Sequence, residues 1–322
     1  RQALQSAFGR QPIGHLRPIS GGVSGALILR FEIHGRPYVL RLEPERVRLA
    51  DRERGFACMS AAAAAGAAPR VHHADPIAGL AIMDFICGRP LSTYPGGAVD
   101  LVKGLGALTA TVQATALFPR LGDYPTLIAH LLAGLQRSAL APPESLEPHA
   151  DGLARIRAAL PWHPGSLVSS HNDPNPRNIL FDGERLWLVD WELGFRNDPL
   201  VDVAILSTDF AEQPDLEDVL LEAALGVAPD RRLRARLDVV RLLTRLFYGC
   251  VVLDSLGGAL PSAVTAQAPF TPLGFRTAIA EGRLASGSLE IAYAFARMSL
   301  RAFRDGLAAP GFGDTLEIAS QG

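Results

Sequence analysis

The residues best suited to chemistry lie in His171-Asn172-Asp173-Pro174-Asn175-Pro176-Arg177-Asn178 and, after Ile179-Leu180-Phe181, in Leu186-Trp187-Leu188-Val189-Asp190-Trp191-Glu192. The apolar, β-favouring runs Ile179 to Phe181 and Leu186 to Val189 flank Asp182-Gly183, the turn chemistry of a tight hairpin. Asn178 and Asp190 then fall at opposite ends of one hairpin and can face the same site. Their side-chain oxygens are the hard ligands that Mg²⁺ prefers. Asp173 is the natural base or orienter of a hydroxyl. Phosphoryl transfer asks for these parts: a metal on the phosphates and a carboxylate beside the attacking oxygen, with little covalent help from the protein.

The order His-x-Asp, four residues, Asn, and an Asp one hairpin later matches a kinase catalytic loop and its metal-binding acid. The alternative is purely structural, with residues 171–178 a polar turn and Asp190 a strand-end acid. The hairpin context and the upstream segments favour the chemical reading.

Those upstream segments must supply the nucleotide site. In Gly21-Gly22-Val23-Ser24-Gly25 the glycines allow positive φ and close backbone approach. Such a turn either covers a triphosphate with N–H groups, Ser24 adding a hydroxyl, or is an ordinary hairpin turn. Tyr38-Val39-Leu40-Arg41-Leu42 reads as a strand. Its embedded Arg41 is either the solvated face of an edge strand or a phosphate-facing cation. Asp51 is positioned to cap a helix from Arg52 to about Ala65, with Phe56, Met59 and Ala63 on one face and Glu53 in the first turn. Glu53 is expected to pair with Arg41. Leu80 to Ile86 reads as another strand, with adenine expected against backbone groups near Asp84 and Ile86. His72-His73 is no metal site by spacing.

From Asp100 onward helical spacing dominates, over Leu101 to Leu117, Tyr124 to Leu140, Leu153 to Leu160, Asp215 to Leu225, Asp230 to Leu256 and Ser288 to Leu307. Gly257-Gly258 is expected to end the longest of these. Asp198 to Ala204 starts a further helix, from which Asp202 can brace the loop at 171–178. The expected fold class is α+β and bilobal. Residues 1–87 would form an antiparallel-sheet lobe with one main helix, and residues 88–322 a larger, mostly helical lobe.

A net charge of −2 over 322 residues gives no electrostatic footprint for nucleic acid. Cys58, Cys87 and Cys250 lack metal or disulfide spacing and are expected as buried small hydrophobes. No run approaches a membrane span and the first residues lack a signal pattern, so no membrane insertion and a cytoplasmic location are expected.

With these pieces in order, the chain resembles the aminoglycoside phosphotransferase and choline kinase superfamily, whose fold is kinase-like. The resemblance runs from Gly21 to about Ala204, and its specific part is Ser170 to Asp202. It implies Asp173 as catalytic base, Asn178 and Asp190 as Mg²⁺ ligands, Arg41 and Glu53 as the phosphate-orienting pair, and Gly21, Gly22 and Ser24 over the phosphates of ATP. His171-Asn172-Asp173, Asp190-Trp191-Glu192, Asn197-Asp198-Pro199 and Arg41 look more like the choline, ethanolamine and thiamine kinase branch. Gly25 departs from it, since that branch commonly has Asn there. The implied activity is ATP- and Mg²⁺-dependent phosphorylation of a small-molecule hydroxyl, an amino alcohol such as choline or ethanolamine. The alternatives are an antibiotic O-phosphotransferase acting on aminoglycosides and a catalytically silent nucleotide-binding protein. An ammonium substrate asks for aromatic and acidic neighbours, for which Trp191, Glu192, Phe195, Phe247, Tyr248, Asp254 and Tyr293 are candidates.

Overall fold

A computed structural model describes residues 2–19, 26–43, 51–138, 146–256, 269–285 and 287–321. The class is α+β as expected, with an N-terminal antiparallel sheet and a mostly helical remainder. The backbone divides into two compact units, Arg1–Leu121 with Gly165–Ala228, and Gly122–Pro164 with Pro229–Gly322.

The first unit opens with α1 (Gln2–Phe8), β1 (Gly14–Pro18), β2 (Leu27–Ile33), β3 (Arg36–Leu42), α2 (Arg52–Ala64), β4 (Val71–Asp75) and β5 (Leu80–Asp84). The strands form one antiparallel sheet in the order β1-β2-β3-β5-β4. Alternation decides its faces. Phe31, Ile33, Tyr38 and Ile82 are buried on one side, where Leu4 and Phe8 of α1 pack against them. Arg41 stands on the other, opposite Ile28 of β2 and Ala81 of β5. The cap expected for α2 is present, the Asp51 carboxylate accepting the Arg54 N–H at 3.1 Å.

β4 was not expected. Its pairing with β5 brings His72 Nε2 to 2.8 Å from Asp84 Oδ1, a carboxylate partner that sequence spacing did not reveal. Cys58 and Cys250 are buried as expected, whereas Cys87, just past β5, is exposed, because the strand ends at Asp84 and leaves it outside the sheet.

The first unit continues with α3 (Gly97–Gln113) and, after residues 122–164, with β6 (Val168–Ser170), β7 (Ile179–Phe181), β8 (Leu186–Leu188), β9 (Phe195–Asn197), α6 (Leu200–Phe210) and α7 (Pro214–Leu225). β7 and β8 are the expected hairpin; β6 and β9 pair antiparallel beside it. α3 packs on α7, and a Cβ on Gly106 would lie 2.6 Å from the Ala223 methyl.

The second unit holds α4 (Tyr124–Gln136), α5 (Glu147–Ala159), α8 (Arg231–Ser255), α9 (Pro272–Ala280), α10 (Leu289–Leu307) and α11 (Phe312–Ser320). α8 is its spine, burying Leu237, Val240, Leu243 and Phe247 and packing on α4, α10 and α11. Asp230 caps it by accepting the Leu233 N–H at 2.7 Å, and Ser288 caps α10. α9 and α11 lay outside the expected helices, while Gly257 and Gly258 lie outside the described residues. No described helix is long and apolar enough to cross a membrane.

Two glycines in helix interiors should respond oppositely to alanine. Gly134 of α4 has open space around its missing Cβ, so Gly134→Ala should gain about 0.5–1 kcal/mol of stability from helix propensity. Gly106→Ala overpacks the α3–α7 contact and should lose about 1–3 kcal/mol. Urea midpoints of the two variants against the parent check both signs.

Candidate active site

The loop between β6 and β7 is fixed from beneath by buried polar groups. Asp202, in the first turn of α6, is 2 % exposed and accepts the His171 N–H at 2.8 Å and the Asn172 N–H at 2.7 Å. Burial pushes its carboxyl above the ordinary range, against the pull of His171 and of the two N–H groups. Asn172 has a left-handed backbone, φ 63°, a conformation that Asn tolerates better than most residues. Its Nδ2 donates to the carbonyls of Ser170, Leu193 and Phe195, and its Oδ1 accepts from Ser170 Oγ and from Asn197 Nδ2. One amide thereby ties the loop to β6, to β9 and to the turn before β9. The brace expected from Asp202 is present.

His171 is fully buried, with Nε2 3.0 Å from the Val189 carbonyl and Nδ1 facing the Asp173 N–H at 3.3 Å. Those partners assign the neutral tautomer with the proton on Nε2. The ring therefore links the loop to the far end of the hairpin, where Val189 N–H also donates to Asn178 O. Above this base Asp173 is half-buried, its Oδ1 accepting from Asn175 Nδ2 at 2.9 Å and its Oδ2 from Asn178 Nδ2 at 3.0 Å. Asn178 Nδ2 also donates to Asp173 O. Both partners of that Nδ2 are acceptors, so the amide orientation is determined and Asn178 Oδ1 points away from them.

At the other end of the hairpin Asp190 also has positive φ, 68°. Its Oδ1 accepts from Arg41 Nη2 at 2.9 Å; the same Nη2 donates to Glu192 Oε1, and Arg41 Nε donates to Glu43 Oε1 at 3.1 Å. Three carboxylates therefore converge on one guanidinium that is itself buried. Burial lowers the Arg41 pKa, but Asp190, Glu192 and Glu43 together outweigh it and hold the group above its ordinary value. Burial, then repulsion from Asp190, pushes Glu192 up to about 7 despite Arg41, and burial pushes Glu43 up as well. An excess of negative charge beside an amide oxygen and a carboxylate suits a hard divalent cation. Among the described residues no three His, Cys, Asp or Glu side chains form a ready-made metal cage.

The remaining expected residues fall as follows. Gly21, Gly22 and Ser24 lie outside the described residues. Glu53 is exposed in the first turn of α2, and none of the ion pairs of Arg41 among the described residues goes to it. α2 reaches the site through Arg54 instead. That guanidinium is buried and donates from Nε to Gly194 O and from Nη2 to Glu192 O, both at 3.0 Å. Asp84 closes β5 with its side chain on Arg36 and His72, and Ile86 follows half-buried. Of the residues considered for an ammonium, Trp191, Phe195, Phe247 and Tyr293 are buried in the cores of their units, and Glu192 is engaged with Arg41. Sequence reading overlooked Glu43 and Arg54. The signal for Glu43 was its i+2 spacing from Arg41 on one strand face.

The chain belongs to the phosphotransferase enzyme family, whose sequence pattern matches residues 15–237. The fold is the kinase-like one of that family's solved relatives. A choline/ethanolamine kinase family protein from Mesorhizobium loti superposes with a TM-score of 0.68 at 22% identity, covering 96% of this chain and 93% of that one. A spectinomycin phosphotransferase solved with ADP and spectinomycin gives a TM-score of 0.59 at 14% identity, covering 92% and 97%. In sequence, the protein LicA of Haemophilus influenzae is 40% identical over 56 residues, 17% of this chain and only 21% of LicA.

Removing the Asn172 side chain takes away the donor shared by the carbonyls of Ser170, Leu193 and Phe195, and each buried group left unsatisfied costs about 1–3 kcal/mol. Asn172→Ala should therefore be among the most destabilising single changes in the chain. Asn172→Gly, which relieves the positive φ, should lose about 1 kcal/mol less. Denaturant unfolding of the pair separates the two contributions.

The hairpin turn supplies a pH test. Slight burial raises the Asp182 carboxyl, but N–H groups of Arg185, the Trp187 indole and Glu184 outweigh it and leave it below the ordinary value. A depressed carboxyl stabilises the fold above its unfolded pKa, about 4, and loses that contribution as pH falls through the folded value. Asp182→Asn should be less stable than the parent at pH 7, with the gap closing in acid; melting curves at several pH values check this.

Proposed function

We propose that this chain transfers the terminal phosphoryl group of Mg²⁺-bound ATP to a hydroxyl of a small amino alcohol such as choline or ethanolamine. The observation that carries the reading is Asp173, its two carboxylate oxygens held by two amides, beside Asn178 and across one hairpin from Asp190. In this reading Asp173 accepts or orients the proton of the attacking hydroxyl at its carboxylate, and the amides of Asn175 and Asn178 keep it in one rotamer. Asn178 Oδ1 and Asp190 would hold Mg²⁺, which when bound offsets negative charge on the phosphates. Arg41 balances the acids around that position.

Gly21, Gly22 and Ser24 are proposed to cover the phosphates, and the backbone near Asp84 and Ile86 to receive the adenine. Residues 1–87 then act as the nucleotide lobe and 88–322 as the catalytic and substrate lobe. Dependence on ATP supports a cytoplasmic site of action. Similarity to the Mesorhizobium loti protein supports the amino-alcohol acceptor. Similarity to the spectinomycin enzyme supports a second reading, in which the acceptor is an antibiotic hydroxyl.

ATP turnover with Mg²⁺ against a panel of choline, ethanolamine, thiamine, homoserine, sugars and aminoglycosides decides between them. One amino alcohol should be turned over, and Asp173→Asn should lower kcat by about 10²–10⁴-fold while ATP affinity changes little. Turnover of an antibiotic alone would install the second reading, and no turnover of any acceptor would overturn both.

A further inference from the structure

From the geometry around Arg41 we infer that the link between the β3 cation and helix α2 is divided in two: Glu43 orients Arg41, and Arg54 of α2 holds the backbone that carries Asp190 and Glu192. This inference rests on the kinase reading for its consequence, though not for its geometry. Arg41 and Glu43 are two residues apart at the end of β3, so they stand on one face, and the Glu43 carboxylate takes Arg41 Nε at 3.1 Å with both side chains about nine-tenths buried. A guanidinium is a planar fork, so fixing Nε fixes where its two terminal nitrogens point. With Glu43 on Nε, Nη2 is directed at Asp190 and Glu192. Glu43 directly follows the strand that carries Arg41, and no movement of α2 is needed to set it.

α2 has a different task. A Cβ on Gly55 would lie 3.5 Å from Trp191 O, and one on Gly194 only 2.9 Å from Cys58 Cβ, so the helix seats directly on residues 191–194. Arg54 completes that seat with its bonds to the carbonyls of Glu192 and Gly194. Glu43 and Arg54 are thus positioning residues. Glu43 aims the cation, and Arg54 places the acid-bearing segment under it.

Two measurements on the full chain test this. The first needs no nucleotide: the Nε–H signal of Arg41 in ¹⁵N spectra should exchange slowly with solvent, and Glu43→Ala should lose that protection while Glu53→Ala keeps it. Protection lost in Glu53→Ala, or retained in Glu43→Ala, overturns the pairing. The second is Mg²⁺-dependent binding and turnover of ATP. Glu43→Ala should raise KM for ATP at least tenfold more than Glu53→Ala does, with Glu43→Gln recovering part of the loss. Arg54→Lys should lower kcat more than it raises KM, with its melting temperature showing an intact fold. Equal effects of Glu43 and Glu53 on KM, or an Arg54→Lys enzyme with parental kcat, overturn the assignment. A parent that shows the Nε–H pattern but binds no ATP would leave the geometry standing and refute the kinase reading alone.

Discussion

The loop that carries Asp173 depends on a buried carboxylate beneath it that main-chain donors hold. Asp202 is compensated by the N–H groups of His171 and Asn172, and such charge-assisted bonds contribute about 1.5–3 kcal/mol each when they succeed. They do so only if the two peptide units flanking His171 turn their N–H groups toward one carboxylate, as they do here, and the left-handed residue Asn172 then redirects the chain. The Asn172 amide then consumes the carbonyls that the turn would otherwise orphan. Because each member satisfies another, Asp173 inherits its position from the polar groups buried beneath it.

The second constraint is electrostatic. Glu43, Asp190 and Glu192 surround a single buried guanidinium, and burial, with repulsion from Asp190, pushes the Glu192 and Glu43 carboxyls up despite it. A fold selected for stability alone gains little from such crowding, since burying like charges together is costly. The same crowding makes sense as a site held ready for added positive charge. The hairpin joins the two constraints. His171 reaches Val189 O from the loop, Val189 returns its N–H to Asn178, and Asp190 follows directly, so the loop and the acid cluster share one rigid frame.

Local chemistry was enough to read several parts of this architecture. Asp51 announced its helix as a cap, helical spacing marked the stretches that begin at Asp230 and Ser288, and the apolar runs around Asp182-Gly183 gave the hairpin. The brace expected of Asp202 is present, made to the His171 and Asn172 N–H groups. Strands β1, β4, β6 and β9 were not legible. They are three to five residues long, three of them carry His or Arg where a strand signal would be apolar, and their pairing comes from partners distant in sequence.

For the candidate site, residue type and spacing along the chain singled out Asp173, Asn178 and Asp190, and a loop and a two-stranded hairpin keep such near neighbours together whatever the rest of the molecule does. Tertiary structure alone decided the partners of Arg41. The expected Glu53 sits one helix away and faces outward, whereas Asp190 and Glu192 arrive from about 150 positions further on, as the 149- and 151-residue separations record. Which carboxylate meets a cation depends on the faces that the sheet and the helix present to each other. Those faces are fixed by packing of the whole unit, such as Gly55 against Trp191 and Gly194 against Cys58, and no local pattern encodes them.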